Sequence, residues 1–241
     1  MVEKEIDGQK KYNFKRADDS LLCENWFDFV GDFYEGFARV RDTSNRDATS
    51  SRNFINTDGK YLCKEWFASA GDFSCGFARV MKVIDGEERW TFIKTDGKYL
   101  CDDWFADVSD FSDGLSRVAI NLVCWNFLKT DGTYLSKVWI TDAECFYNGV
   151  ARIKVGSKYN FLTKEGKILS KIWFDKTEMF SGGFAKVEID GEFNYLKPDG
   201  MLVGGMRFDE VTDFFKGYAT GRKGDEIKII NEQGKISEWD R

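Results

Sequence analysis

The chain has 241 residues, of which 42% are hydrophobic and 16% aromatic, enough to fill a folded core and too many for a disordered chain. Its net charge of -6 comes from charges of both signs spread along the sequence, so no basic arm or acidic tail indicates a nucleic acid or membrane partner. The sequence contains no histidine, which excludes Ser-His-Asp and Cys-His nucleophile systems and histidine-based zinc sites, since each needs a neutral imidazole.

The first residues and the cysteines predict a cellular location. The segment Met1 to Glu5 is charged where a secretory signal needs an apolar stretch, and no apolar run is long enough for a membrane helix. The six cysteines form no CxxC pair and are unevenly spaced, which is typical of reduced thiols rather than a disulfide framework. We therefore expect a cytoplasmic protein with free thiols, and no structural metal.

The predicted elements repeat along the chain, beginning with a strand over Val2 to Ile6 and the turn Asp7-Gly8. A Phe-x-x-Gly element then recurs with offsets of 40, 38, 35, 34 and 34 residues. Its copies begin at Phe33, Phe73, Phe111, Phe146, Phe180 and Phe214. Five tryptophans keep the same spacing: Trp26, Trp66, Trp104, Trp139 and Trp173. A repeat of about 34 residues in about seven copies predicts a repeat architecture rather than unrelated domains.

Each unit is predicted to be an antiparallel β-meander of three or four short strands. The dipeptide Asp96-Gly97 separates Trp90–Lys94 from Lys98–Cys101 and predicts a hairpin with a type I′ turn, which needs positive φ at both central residues. The turns Asp85-Gly86 and Asp190-Gly191 follow strands predicted over Phe77 to Val83 and Phe184 to Ile189. A further short strand is expected between Trp104 and Phe111.

The strands are partly apolar on both faces, so neighbouring units must cover each of them. The last strands are predicted between Ile227 and Trp239, giving a single β-repeat domain over residues 1–241. Two arrangements satisfy this pattern: a closed, small-bladed β-propeller, which we favour because neither end carries a polar capping element, and an open β-solenoid.

The motif order resembles the bacterial WG repeat, also called KWG. An aromatic-x-aromatic strand, a Gly-Lys turn, a Trp/Tyr-Phe/Asp pair and Phe-x-x-Gly-x-Ala-x-Val follow one another over the whole chain. The Trp-Gly pair that names the family is replaced by Trp-Thr, Trp-Asn or Tyr-Asn, and Pro198 is the only proline, so the form is divergent. The resemblance implies an interaction or binding module with no agreed activity.

Two sets of repeated side chains are the candidate binding residues. The third position of the Phe-Ala-Arg-Val strand is basic in five units, at Arg39, Arg79, Arg117, Arg152 and Lys186, and could bind a phosphate or carboxylate. The alternative is that each cation pairs with a carboxylate of its own or the adjoining unit, or lies over a tryptophan. Trp66 and Trp104 represent the tryptophan set, which could stack on sugars or bases or could pack between units.

Other residue sets give weaker indications. Cys23, Cys63 and Cys101 share one repeat position, where later units have serine or glycine, so we interpret it as a small buried position rather than a metal site. Two carboxylates such as Asp72 and Asp110 could catalyse glycoside hydrolysis without histidine, but aspartate before a turn ordinarily caps backbone amides. The longer connections, Asp42 to Ser51 and Ile84 to Glu88, fall at the same place in two units and could form a binding face or be neutral loop growth.

These patterns predict a non-catalytic binding or scaffold protein that presents a β-repeat surface to a macromolecular partner. A small-ligand binder for a nucleotide or sugar, using the repeated Arg and Trp positions, is the second hypothesis, and a carboxylate-dependent hydrolase is the third. The expected partner is a protein or an anionic small molecule, with no nucleic acid, membrane or cofactor.

Overall fold

The computed structural model describes residues 1–44, 50–137 and 139–238. Within these ranges the secondary structure consists of short β-strands without any helix. The strands form seven small antiparallel sheets. The prediction of an all-β fold built from about seven antiparallel units is therefore confirmed. Across the same ranges, no helix long and apolar enough to cross a bilayer occurs.

The chain divides into two compact units, Met1–Tyr134 (unit 1) and Leu135–Arg241 (unit 2). The single domain over residues 1–241 and the choice between ring and open array stay predictions. Unit 1 contains sheets 1 to 4, whose strands are, in order, β1 (Val2–Ile6) and β2 (Gln9–Asn13); β3 (Phe29–Tyr34), β4 (Phe37–Arg41) and β5 (Arg52–Asn56); β6 (Ser69–Ala70), β7 (Phe77–Ile84) and β8 (Glu87–Lys94); β9 (Asp107–Val108), β10 (Leu115–Asn121) and β11 (Cys124–Lys129).

Unit 2 contains sheets 5 to 7. Their strands are β12 (Asp142–Ala143), β13 (Val150–Val155) and β14 (Lys158–Thr163); β15 (Lys176–Thr177), β16 (Ala185–Ile189) and β17 (Glu192–Leu196); β18 (Glu210–Val211), β19 (Tyr218–Lys223), β20 (Glu226–Asn231) and β21 (Ile236–Glu238). Trp239, the predicted end of the last strand, and residues 45–49 of the first long connection lie outside the described residues.

Two kinds of glycine turn shape each sheet, and one differs from the prediction. Type I′ geometry, with positive φ at both central residues, occurs at Asp85-Gly86 (φ 53° and 83°) and also inside the Phe-x-x-Gly element, as at Cys75-Gly76 (φ 55° and 84°). At Asp96-Gly97 only Gly97 has positive φ (79°), while its amide donates to the carbonyl of Lys94 at 2.9 Å. The type I′ prediction is wrong there.

The strand predicted over Lys98–Cys101 is also wrong, since only an isolated bridge between Ile93 and Tyr99 forms. Beyond that bridge the chain bends away, and a side chain replaces the ladder. Thr91 of β8 donates its hydroxyl to the carbonyl of Asp103 at 3.0 Å. In sheet 2 the buried Asn53 takes the same role and donates to the carbonyls of Cys63 and Glu65, both at 3.0 Å. A buried side chain thus satisfies carbonyls that a continuous strand would have paired.

Phenylalanines, rather than tryptophans, fill the space between successive sheets. Phe105, which follows Trp104, is fully buried and exchanges two backbone hydrogen bonds with Trp90 in the middle of β8. The next Phe-x-x-Gly phenylalanine, Phe111, packs against Phe77 and Phe92 with ring centroids 4.6 and 4.8 Å apart. Thr91, Phe92 and Ile93 are consecutive in β8 and all buried, so both faces of this strand are covered, as the two-sided apolar pattern predicts.

Candidate functional site

The five basic residues hold equivalent positions in the fold. Each lies on the strand that follows a Phe-x-x-Gly turn and pairs in register with an aromatic residue of the next strand, as Arg79 does with Phe92. Their side chains are about one third exposed. The residues are Arg39 of β4, Arg79 of β7, Arg117 of β10, Arg152 of β13 and Lys186 of β16.

Arg39 and Arg79 of unit 1 reach the carboxylate that precedes phenylalanine in the following sheet. Arg39 donates Nε to Oδ1 of Asp72 at 2.5 Å and Nη2 to Oδ2 at 3.1 Å, and its Nη1 donates to the carbonyl of Ala70 at 3.1 Å. Arg79 places Nε 3.1 Å from Oδ1 of Asp110. These contacts link sheet 2 to sheet 3 and sheet 3 to sheet 4.

Arg117 has a different environment, because the residue before phenylalanine in the following repeat is Cys145 rather than aspartate. Its guanidinium lies 4.5 Å from the ring centroid of Trp125, a cation–π distance, and 3.8 Å from a carboxylate oxygen of Asp107.

In sheets 5 and 6 of unit 2, the cation of the middle strand pairs with a glutamate that follows the first strand of the same sheet. Arg152 donates to Glu144 and, through Nη1, to the carbonyl of Thr177 at 2.8 Å. Lys186 lies 2.9 Å from Glu178 and 3.6 Å from Asp213, and the hydrogen bond with Glu178 raises the pKa of its ammonium group. All five cations thus pair with carboxylates, which agrees with the alternative prediction that each cation pairs with a carboxylate of its own or the adjoining unit. Their role in ligand or partner binding stays a prediction.

The residue two places before phenylalanine decides which carboxylate is used. In sheets 5 and 6 this residue is glutamate, Glu144 or Glu178, which faces the cation of the same sheet. In sheet 3 it is Gly71, and a Cβ there would lie 2.9 Å from Cγ and 3.0 Å from Nε of Arg79. The stem of Arg79 therefore occupies the space of the missing side chain, and the guanidinium extends towards sheet 4.

This arrangement opens a pocket in unit 1 of about 620 Å³. It contains two cations and two carboxylates beside the aromatic rings of Tyr34 and Trp90. The pocket is lined by Tyr34, Arg39, Ser69, Ala70, Gly71, Asp72, Phe73, Ser74, Arg79, Trp90 and Asp110. Arg39 and Arg79 are thus brought together, whereas Trp66 and Trp104 lie elsewhere in the unit. Gly71 and Trp90 are not among the residues predicted from the sequence, although the change from glycine to glutamate at the position of Gly71 is visible when the repeats are compared.

The two candidate tryptophans are half-buried and contact tyrosines. Trp66 packs edge-on against Tyr61 at 5.3 Å, and Trp104 against Tyr99 at 5.5 Å. The ammonium group of Lys82 lies 5.5 Å from the ring centroid of Trp104 and also bonds Glu65. Trp104 therefore already stacks with a cation of the same chain.

Tyr99 completes this polar cluster. Its hydroxyl donates to the Glu65 carboxylate at 2.5 Å, and burial together with that bond raises the pKa of Tyr99 to about 12. Burial opposes the charge on Lys82, but the hydrogen bonds to Glu65 and Tyr99 raise its pKa overall. The polar groups of Glu65, Lys82 and Tyr99 thus bond to one another, and Lys82 holds Trp104 against sheet 3.

The cysteines and carboxylates form no metal-binding cluster in the part of the chain that the structure describes. Cys23, Cys63 and Cys101 are half-buried, and each thiol points at a backbone carbonyl two residues ahead, at 3.6, 3.3 and 3.9 Å. All six cysteines are free thiols. In the described ranges, no group of three or more Cys, Asp or Glu side chains has the geometry to hold a metal ion.

Comparison with known families supports the resemblance found in the sequence. A model described as WG containing repeat matches residues 27–43, 139–159 and 161–193. The WG-repeat resemblance is thereby confirmed, and the unmatched regions agree with a divergent form. No curated protein matches the sequence significantly.

Solved structures with similar folds have low sequence identity. BamB from Moraxella catarrhalis shares 10% identity over 98% of this chain and 86% of its own, with a TM-score of 0.35. Hsv2p of Kluyveromyces lactis shares 12% over 84% and 74%, with a TM-score of 0.34. The WD40 β-propeller domain of Doa1 shares 11% over 87% and 80%, with a TM-score of 0.31. Similarity at this level does not transfer a function.

Proposed function

We propose that this chain is a non-catalytic binding protein that presents the β-repeat surface of unit 1 to a macromolecular partner. The observation that carries this proposal is the open pocket of about 620 Å³ that contains Arg39, Arg79 and Trp90. Tyrosine, tryptophan and arginine contribute more binding energy at protein interfaces than other residues do. Tyr34, at the edge of the pocket, is 47% exposed and provides an aromatic contact for a partner.

The charges of the pocket support binding rather than hydrolysis. Asp72 accepts two hydrogen bonds from Arg39, and Asp110 lies beside the guanidinium of Arg79. Glycoside hydrolysis needs one carboxyl group that gives its proton to the leaving group. The two carboxylates of the pocket instead each form an ion pair with an arginine, which favours a recognition surface.

The experiment is site-specific photo-cross-linking in cells of the source organism. Benzoylphenylalanine introduced at Tyr34 is expected to form an adduct with one macromolecular species. The matched control is the same residue introduced at Tyr147, which occupies the same place in a later Phe-x-x-Gly turn and is 59% exposed. Equal adduct patterns from the two positions, or no adduct from Tyr34, would refute the proposal.

The volume of the pocket favours a second candidate function, the binding of a small ligand. Pockets of about 300–1,000 Å³ hold drug-sized molecules. A nucleotide or oligosaccharide that binds here would raise the melting temperature by mass action. A concentration-dependent rise with a nucleotide or sugar, which disappears in Arg79→Gln, would favour this candidate over a macromolecular partner.

A further inference from the structure

We propose that Arg79 is the side chain of the pocket that binds the partner, and that the group it binds is a carboxylate. This inference rests on the proposed function and names the chemistry of the same site. Trp90 and Gly71 hold the guanidinium in position for this contact.

Arg79 is a poorly satisfied guanidinium. Its Nε is buried and makes no hydrogen bond, because the 3.1 Å contact with Asp110 lacks hydrogen-bond geometry. Within the ranges that the structure describes, its terminal nitrogens donate no hydrogen bond either. Arg39, one sheet earlier, uses three nitrogens in bonds to Asp72 and Ala70. A half-buried guanidinium without hydrogen bonds favours an acceptor from outside the chain.

The guanidinium is held in place before any ligand arrives. Gly71 lets the stem of Arg79 lie directly on the backbone. Trp90 lies on the other side, with its ring centroid 5.6 Å from Cζ, within the cation–π range. Because the side chain is already ordered, binding costs less side-chain entropy than it would at a free surface arginine.

The charge balance of the pocket favours a ligand group of low charge over a dianion. Two arginines face two aspartates, so the fixed charges sum to zero, and Asp110 is 57% exposed beside Arg79. A phosphate dianion would be repelled by Asp72 and Asp110 more strongly than a carboxylate. A carboxylate also matches the fork of two N–H groups in a bidentate pair. The geometry therefore favours a carboxylate over a phosphate.

The test uses sodium benzoate as the probe and benzamide as its neutral isostere. Nitrogen-edited NMR of the full chain follows the indole N–H of Trp90, assigned with Trp90→Phe, and the Nε–H of Arg79. Benzoate is expected to shift both signals in a saturable manner, and benzamide to shift neither. Arg79→Gln should weaken benzoate binding at least about tenfold, because it removes the positive charge and the charge-assisted hydrogen bonds to the carboxylate. Arg222→Gln, which removes an arginine of unit 2 that pairs with Glu210, should leave binding unchanged.

A second variant covers the case in which Arg79→Gln does not fold. Arg79→Lys keeps the charge and the stem but loses the fork, and it should reduce benzoate affinity several-fold. Equal binding of benzoate and benzamide, unchanged affinity in both Arg79 variants, or tighter binding of phenyl phosphate than of benzoate would overturn the carboxylate assignment. If the cross-link at Tyr34 persists while benzoate does not bind, the partner surface stands and the carboxylate assignment falls.

Discussion

Arg39 holds Asp72 side-on, with Nε 2.5 Å from Oδ1 and Nη2 3.1 Å from Oδ2. The pair joins the middle strand of sheet 2 to the loop before Phe73, so a contact between side chains connects two successive repeats. Its two side chains are 32% and 34% exposed, which places it between a surface ion pair and a buried one. The energetic coupling across this pair measures how strongly the repeats depend on one another.

The first prediction concerns this coupling. Arg39→Gln and Asp72→Asn should each lower the free energy of unfolding by about 1–2 kcal/mol, because each leaves a charged partner with fewer hydrogen bonds. The double variant should lose less than the sum of the two, with a coupling energy of about 1 kcal/mol. Urea unfolding of the four proteins gives this value. A coupling energy near zero would mean that the pair does not hold the sheets together.

The second prediction concerns the buried asparagine of sheet 5. Asn160 donates to the carbonyls of Ser170 and Ile172, both at 2.9 Å, and accepts the amide of Phe161 at 2.8 Å. Asn160→Ala leaves these buried groups without partners and should cost about 3 kcal/mol or more, since each such group costs about 1–3 kcal/mol. Exposed Gln233→Ala, also in unit 2, should change stability by less than about 0.5 kcal/mol.

Chemical denaturation followed by fluorescence would compare the two variants. A loss below about 1 kcal/mol for Asn160→Ala would show that water or a rearranged backbone replaces the asparagine. The same result would mean that the buried asparagine is not needed to satisfy the carbonyls left unpaired where the strand is interrupted.

The repeat period was predictable from the sequence because the turn glycines recur at regular intervals along the chain. Gly76 and Gly86 have positive φ, which glycine adopts at little cost, so their spacing marks the hairpins of each sheet. The turn at Gly97 looked the same in sequence but has a different geometry, since Asp96 keeps negative φ. A dipeptide alone does not distinguish a two-residue loop from a turn followed by one left-handed residue.

Packing roles were less visible in the sequence. Trp104 and Phe105 are adjacent and both bulky, yet Phe105 alone is fully buried, because the alternation of side chains along an extended segment turns only one of them inward. The buried asparagines, such as Asn53, carry no local sequence signal of their role. Their role depends on where the chain goes after the next turn, which no local pattern specifies.

The candidate site was predicted only in part. Arg39 and Arg79 were identified as cations at one repeat position, but the sequence could not say which carboxylate each would face. That choice depends on Gly71, whose missing side chain leads Arg79 towards Asp110. A small residue two places before phenylalanine determines the pocket, and its effect becomes clear only when three sheets are placed side by side.

The third prediction tests the close approach of repeats at Gly97. Its φ is 79°, and a Cβ there would lie 2.7 Å from the carbonyl oxygen of Leu62. Gly97→Ala should therefore lower stability by about 3 kcal/mol, about 1–2 of it from the left-handed backbone. Gly86→Ala is the matched control, since its φ is 83° and no atom lies within 4 Å of the added Cβ.

The difference between the two alanine variants isolates the packing between repeats from the backbone strain that both share. Thermal or urea unfolding measures it directly. Equal losses for Gly97→Ala and Gly86→Ala would show that the chain relaxes at Leu62 without cost.

The fourth prediction concerns thiol reactivity. Burial raises the pKa of Cys23, Cys63 and Cys101, which lowers the fraction of reactive thiolate at neutral pH. Cys75 and Cys145 are exposed. Titration with a chromogenic disulfide should therefore give two fast thiols in the folded protein and six in denaturant without a reductant. Fewer than six in denaturant would contradict the prediction of reduced thiols.

The fifth prediction concerns acid stability in unit 2, where two aspartates cap hairpin turns. Asp175 accepts the amide of Asp190 at 2.8 Å, and Asp209 accepts the amide of Gly224 at 2.7 Å. The hydrogen bond from Lys158 is the main cause that lowers the pKa of Asp175, and the Gly224 amide is the main cause for Asp209.

Because both carboxyl groups have a lower pKa in the folded chain than in the unfolded one, they stabilise the fold in their charged form. This contribution is complete above the unfolded pKa of about 3.9 and is lost as the pH falls through the lower folded values. The double variant Asp175→Asn, Asp209→Asn keeps an acceptor oxygen at each turn but removes the charge. Its melting temperature should lie below that of the parent by a constant amount above about pH 5, and the gap should close below about pH 4. Melting curves from pH 7 to pH 2 measure the gap, and curves that stay parallel over the whole range would show that the caps work by hydrogen bonding without a contribution from charge.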